Sequence, residues 1–378
     1  MVGGIHMVHT AKGIARHGAE RRRFVKSALA LSGMSAAASI AGSSLVWGAS
    51  TPIKHRSLDP VNPDIMFGTA SGIWGGGGFA TNWWTAQGNS LDAEFWIKRV
   101  AQLGLQGIEF YGDGIEAWRS NPLGLKKLFD EAGISFIDAS NGEQGQSTNF
   151  IDPDQIPKTI ADHVAFARDF LQPLGADHWK CNMGARPPGG PSDDQLKRLA
   201  DTLNEIGRRT LPMGIRLAPH PHIWGPMERD KEIRRVMDLT DPKYVWMTAD
   251  TGHLTLGGGD AVQIIKDYFP RIAEIHMKDT YAKYRGNTVT PTPEMHRMGS
   301  VYHNLGGGGV DFPGIFQVLR DRHWKGWAIF DVDGPRKGDD GYDAIGSAGN
   351  NQLAVDDYLA NNINYLRDVL GIKLPPPG

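Results

Sequence analysis

From Asp64 onward a short apolar run alternates, eight times over, with an amphipathic segment, and this alternation constrains the fold more than any single motif. The runs begin at Asp64 (DIMFGTA), Leu105 (LQGIEFYG), Ile134 (ISFIDAS), Asp177 (DHWKCNM), Ile215 (IRLAPHPH), Tyr244 (YVWMTAD), Ile272 (IAEIHMKD) and Gly326 (GWAIFDVD). Such runs read as strands, whereas LDAEFWIKRVAQLG, KTIADHVAFARDFL and DQLKRLADTLNEIGRRTL place apolar residues at i, i+3 and i+4 and read as helices. Gly104, Gly133, Gly175 and Gly214 each stand just before a strand, where a helix C-terminus needs a residue tolerant of left-handed backbone. Eight strands each followed by a helix predict an α/β fold, a (β/α)8 barrel of about 250 to 300 residues, closed by the helix AVDDYLANNINYLRDVLG. An open doubly wound sheet is the rival, and it lacks the G-x-G-x-x-G turn after the first strand.

A chain of 378 residues accommodates one such barrel, over 51–378, together with a leader over 1–50. The leader is read from Arg21-Arg22-Arg23-Phe24-Val25-Lys26 and the Ala- and Ser-rich stretch after it, a basic n-region ahead of a weakly apolar h-region. That stretch is too short and too interrupted by Ser and Gly to span a membrane. Arg21-Arg22-x-Phe24-x-Lys26 resembles the twin-arginine export motif, which implies a periplasmic protein exported already folded, without stable membrane insertion once the leader is removed. A formal net charge of −2 gives no electrostatic case for nucleic acid. The single Cys181 excludes an internal disulfide framework and a thiolate metal cluster.

Strands five to eight finish on polar groups: His220 and His222; Asp250, with His253 three residues on; His276, Lys278 and Asp279; Asp331 and Asp333. In a barrel these C-terminal ends surround one point, where barrel enzymes build their sites. One such histidine would ordinarily be a hydrogen-bonded structural residue. Imidazoles and carboxylates converging from four successive strands, without cysteine, suit a divalent ion such as Mn²⁺, Co²⁺, Zn²⁺ or Mg²⁺. Residues 70–90 and 281–310 form long loops at the same face, and Trp74, Trp83 and Trp84 in the first suggest a cover over a substrate.

The segments LAPHPH, ADTGHLTLGGGD, IAEIHMKDT and GWAIFDVDG resemble the strand ends of the xylose-isomerase-like sugar phosphate isomerase/epimerase family, a resemblance that spans Asp64 to Leu370. That family includes ketose 3-epimerases, hydroxypyruvate isomerase and inosose dehydratase. The resemblance implies one metal ligand from each of strands five to eight, falling on His220, Asp250, His276 and Asp331. Ketose epimerases carry Glu at the first and last of these positions and use both glutamates as proton shuttles. His220 and Asp331 depart from that pattern, which keeps a ligand set but weakens two-base epimerisation.

The implied chemistry is removal of a proton beside the carbonyl of a keto-sugar through a metal-stabilised enediolate, with Asp331, Glu109 or Asp333 as the base and Lys278 donating to the developing oxyanion. Lys278 could equally pair with Asp279 or Asp250, and Glu109 could be an ion-pair partner at the barrel mouth. His222, His253, Trp74 and Asp333 are the substrate-contact candidates. Reprotonation gives isomerisation or epimerisation; loss of a β-leaving group gives a dehydratase or a lyase on a 3-keto-glycoside. A non-catalytic sugar-binding barrel is a further alternative. The partner is a small carbohydrate, and the oligomeric state, a homo-oligomer included, stays open. Replacing Arg21 and Arg22 by Lys is expected to leave the protein in the cytoplasm, as fractionation and immunoblotting would show; undiminished export would remove the twin-arginine reading.

Overall fold

The eight apolar runs all become strands, and every ladder between them is parallel. The computed structural model describes residues 64–74, 92–142, 146–298, 301–332 and 359–372, all within the unit His55–Gly378. The proposed leader, the predicted cover around Trp83 and Trp84, and Asp333 lie outside the described residues.

The barrel strands are β1 (Ile65–Ala70), β2 (Gly107–Phe110), β3 (Ser135–Ala139), β4 (His178–Cys181), β5 (Arg216–Pro219), β6 (Met247–Asp250), β7 (Ile272–Met277) and β8 (Gly326–Phe330). A six-stranded parallel ladder runs β3-β2-β1-β8-β7-β6, and β4 and β5 form a second parallel pair. The bridge Leu217↔Val245 ties β5 to the chain entering β6. Between β3 and β4 side chains replace the ladder: the Lys180 amide donates to Asp138 Oδ2 (2.5 Å) and Trp179 Nε1 donates to the Ala139 carbonyl (2.7 Å).

The main helices are α1 (Ala93–Gln102), α2 (Pro122–Ala132), α3 (Ile156–Phe166), α4 (Asp193–Thr210), α5 (Asp230–Leu239), α6 (Thr251–Leu256), α7 (Ala261–Asp267) and α8 (Phe312–Asp321), with short helical turns at Gln172–Leu174 and Pro293–Met298. Sequence explains their ends. Ser192 caps α4 in a reciprocal box, its Oγ accepting from the Gln195 amide while Gln195 Oε1 accepts from the Ser192 amide. Gly104, Gly133, Gly175 and Gly214 all adopt positive φ, between 70° and 84°, as their positions ahead of strands required. Leu196, Leu199, Leu203 and Ile206 bury one face of α4. The predicted helix through residue 170 departs from the α pattern, since Ala167–Leu171 form a π-helical turn after α3. The closing helix is seen over 359–364 and passes into a π-helical turn at Tyr365–Val369.

The main apolar core lies between the strands and the helices, with Trp96, Phe110, Phe129, Phe136, Phe170 and Trp179 among its buried members. The barrel interior is divided. Ala70, Ile137, Trp327 and Ile329 form a small apolar cluster on one side, while Glu109, Asp138, His178, Lys180, Thr248, Glu274 and His276 are buried on the other. Gly68 makes the apolar side possible: a Cβ there would stand 2.5 Å from Ile137 Cδ1 and 2.8 Å from the Gly107 carbonyl oxygen. Gly68→Ala is therefore expected to cost about 1–3 kcal/mol through overpacking, read as a lower denaturant midpoint at unchanged m-value.

Candidate metal centre

Alternation along a strand sends every second side chain into the barrel, and register sets the height at which those side chains meet. Asp250 stands opposite His276 in the β6–β7 register, and Ile329 stands opposite His276 in the β7–β8 register, so Asp331 follows two positions on. With His220 just past β5, four groups meet at the mouth: His220, Asp250, His276 and Asp331 each offer one ligand atom within 4.8 Å of the others, and all four residues are buried.

The separations suit one ion. His276 Nδ1 is 2.9 Å from Asp331 Oδ2, His220 Nε2 is 3.3 Å from Asp250 Oδ2, and His276 Nδ1 is 3.8 Å from Asp250 Oδ2. Adjacent ligands at ~2.1 Å from a cation are themselves about 3.0 Å apart in an octahedral site and about 3.4 Å apart in a tetrahedral one.

Each member is held from behind. Asp250 caps α6: its Oδ1 accepts from the His253 amide (2.8 Å), which leaves Oδ2 turned to the centre. His220 Nδ1 lies 3.0 Å from Asn182 Oδ1, and Asn182 Nδ2 donates to Ser140 Oγ. That network assigns the Asn182 oxygen as acceptor and puts the His220 proton on Nδ1, leaving Nε2 with its lone pair toward Asp250. Asp331 Oδ1 accepts from the Tyr111 hydroxyl (3.1 Å), and Oδ2 lies 3.4 Å from Lys278 Nζ.

The electrostatics call for positive charge at this point. Burial raises the Asp250 carboxyl to about 7, with Lys278 opposing and Asp331 adding to the rise. Burial alone would lower the His276 imidazole, but Glu109, Glu274 and Asp331 outweigh it and hold it well above its ordinary range. His220 goes the other way, depressed by burial and then by Lys180 and His276, so it is a neutral imidazole suited to ligation. Desolvation would raise Asp331, yet Lys278, His276 and Lys180 prevail and keep it ionised.

Glu109 is brought to the centre but is engaged on both sides. Its Oε1 accepts from Lys180 Nζ (2.6 Å), and Oε2 lies 2.7 Å from His276 Nε2 without the angle a hydrogen bond needs. Lys278 faces Asp331 and lies over the Tyr302 ring, 4.6 Å from its centroid. Asp279 turns away from the centre: its carboxylate accepts from the amides of Thr280, Gly306 and Val310 and so anchors the loop after β7. His222 and His253 stack beside His220, with ring centroids 3.7 Å apart. Trp74 ends the turn Ser71–Trp74, and its side chain, like Asp333, lies outside the described residues. Tyr111, Lys180, Asn182 and Glu274 also belong to the site, although none stands out at a strand end in the sequence. The signal for two of them was a period of two, His178 and Lys180 in HWKC and Glu274 and His276 in AEIH.

Known proteins share this fold. A profile of the xylose isomerase-like TIM barrel family matches residues 97–351. Inosose dehydratase of Clostridium perfringens is 30% identical over 145 residues, which are 38% of this chain and 48% of that protein. The chain thus spans about half the length of such curated relatives. D-Psicose 3-epimerase of Clostridium cellulolyticum H10, solved with D-tagatose, superposes with a TM-score of 0.61 at 15% identity, covering 81% of this chain and 99% of that one. The IolI protein with a binding zinc atom superposes with a TM-score of 0.59 at 14% identity, covering 81% and 98%. Both structural likenesses are of fold.

His276→Ala and Asp250→Ala are each expected to abolish stoichiometric divalent-metal binding while preserving the circular dichroism of the barrel. Asn182→Ala, which frees the His220 ring, should weaken binding ~10- to 100-fold in a chelator competition. Full metal content in both alanine variants would remove the centre as drawn.

Proposed function

The chain belongs to the xylose isomerase-like TIM barrel family, and we propose that it is a divalent-metal-dependent sugar isomerase or epimerase acting on a keto-sugar through an enediolate. The observation that carries this reading is the convergence of His220, Asp250, His276 and Asp331 on one buried point, with a lysine and two neutral imidazoles beside it. The zinc in the IolI protein and the ketose substrate class of D-psicose 3-epimerase support it by likeness of fold. A divalent ion held there supplies polarisation of the carbonyl and charge stabilisation as the neighbouring C–H is deprotonated.

The chain's own groups supply the rest. Asp331, kept ionised and oriented by the Tyr111 hydroxyl, takes the proton at Oδ1. Lys278 Nζ, next to Asp331 and over the Tyr302 ring, donates to the developing oxyanion. His222 and His253 are held neutral by burial and contact the sugar hydroxyls. Glu109, held by Lys180 through Oε1, sets its other oxygen 2.7 Å from His276 Nε2 as a charge partner.

A second reading is a dehydratase or β-eliminating lyase on a keto-sugar or 3-keto-glycoside. One observation favours it: with Glu109 clamped and His220 in place of a carboxylate, Asp331 is the one carboxylate among the described residues we assign to proton transfer, and elimination needs only one base. The inosose dehydratase relatives point the same way. The export proposed from Arg21 and Arg22 would favour a free or glycosidic sugar over a sugar phosphate.

Proton–deuterium exchange on a panel of keto-sugars in D2O tests the proposal. Asp331→Asn is expected to lower C–H exchange ~10²- to 10⁴-fold, whereas Glu109→Gln should retain most of it. Loss of exchange in Glu109→Gln alone would move the base to Glu109, and near-normal exchange in both variants would sink the enediolate mechanism.

A further inference from the structure

We propose that the barrel interior holds a second divalent-cation site, built by Asp138 of β3, His178 of β4 and Glu274 of β7 and separate from the His220 centre. The three residues each offer a ligand atom within 4.8 Å of the others, and none has any exposed surface. Each has one polar atom secured and one left over. Asp138 Oδ2 accepts from the Lys180 amide (2.5 Å), His178 Nδ1 is 2.6 Å from Asp177 Oδ1, and Glu274 Oε2 accepts from Thr248 Oγ1 (3.2 Å). The remaining atoms, Asp138 Oδ1, His178 Nε2 and Glu274 Oε1, are buried without a hydrogen-bond partner. Buried polar atoms are nearly always partnered, and His178 Nε2 and Glu274 Oε1 face each other only as a long ion pair at 3.5 Å while Asp138 Oδ1 has no hydrogen bond, so the three point to a common ligand.

The chemistry of the three selects a cation. Two are carboxylate oxygens, and the third is an imidazole nitrogen whose opposite nitrogen faces a carboxylate, the arrangement that orients metal-bound histidine. The 3.5 Å between His178 Nε2 and Glu274 Oε1 is close to the about 3.4 Å that separates two ligands of a tetrahedral ion. The Lys180 ammonium is committed to Glu109 at 2.6 Å and acts on Asp138 only through space. The unmet charge shows in the neighbours. Burial, then Glu109 and Glu274, push the Asp138 carboxyl well above its ordinary range. Burial would lower His178, but Glu274 and Asp177 raise it to about 10, so without an ion the ring carries the proton that a bound cation would displace. A divalent ion would balance Asp138 and Glu274 directly. It would also have a structural role, because β3 and β4 share no backbone ladder and the ion would tie both to β7.

The test uses the full chain, stripped by chelation and reloaded with Zn²⁺ alone or Mn²⁺ alone. Anomalous diffraction from wild-type crystals is expected to show two peaks per chain, the second at ~2.0–2.3 Å from His178 Nε2. His178→Gln should lose one ion per chain and retain the peak at His220, and reloading should raise its thermal midpoint less than that of the wild type. Should His178→Gln fail to fold, the wild-type map decides alone. No peak beside His178, with a water in its place or with a protonated His178 closing on Glu274, overturns the proposal. Because the two sites give separate peaks, an empty His220 centre would count against the proposed function and not against this one.

Discussion

The imidazole of His276 is the interaction on which the barrel mouth depends. It stands among four carboxylates, with Nδ1 toward Asp331 and Asp250 and Nε2 toward Glu109 and Glu274, and it has no exposed surface. Taking a carboxylate out of water costs on the order of several kcal/mol even after relaxation, so four of them are tolerable only with positive charge in their midst. Lys180 and Lys278 supply part of that charge from β4 and from just past β7, and a proton or an ion between His276 and Asp331 would supply the rest. The arrangement pulls three strands' polar groups to one height, and the parallel register makes that height common to Asp250 and His276.

This polar half is affordable because the other half is apolar and tightly fitted. Gly68 and Gly107 leave space for Ile137, Trp327 and Ile329, and additional atoms at either glycine would meet those side chains within 3.1 Å. The barrel thus packs one side of its interior for stability and gives the other to buried ions, which are weak contributors to stability but specific in position. Satisfied second contacts hold the ions in place: the α6 cap on Asp250, the Asn182 oxygen on His220, the Tyr111 hydroxyl on Asp331.

Most of the barrel was legible in the sequence because alternation of apolar runs with 3.6-residue periodicity is a long-range repeat, insensitive to local error. The candidate centre was legible for a related reason, since imidazoles and carboxylates recur at the ends of four successive strands that a barrel brings together. What was hidden lay inside the strands. His178, Lys180 and Glu274 interrupt apolar runs, and reading those runs for hydrophobicity treats an inward-facing ion as noise. Lys180 and Glu109 are 71 residues apart, a pairing that barrel curvature sets and no spacing rule supplies. Asp279 failed in the opposite sense: adjacent to Lys278, it looked like part of the site, but the chain bends there into a short ribbon pairing Asp279–Thr280 with Tyr302–His303. The β6 ladder likewise begins at Met247, later than Tyr244, because the preceding residues bridge to β5 instead.

His220, an imidazole where the resemblance to ketose epimerases implies a carboxylate, reshapes the proton inventory under the proposed chemistry. A glutamate there could accept a proton; an imidazole bound through Nε2, with Nδ1 donating to Asn182, has no free site for one. Glu109 has its oxygens beside an ammonium and an imidazole, so protonating it would break a buried ion pair as well as neutralise a base. That leaves the acceptor at Asp331 on the β8 side and the stacked His222 and His253 beside His220, neutral and able to donate or accept only weakly. A site with one assigned acceptor and weak partners beside it returns a proton to the same face more readily than it delivers one to the other. Under this reading, same-face proton return or loss of a leaving group follows more naturally from the geometry than inversion by two matched bases.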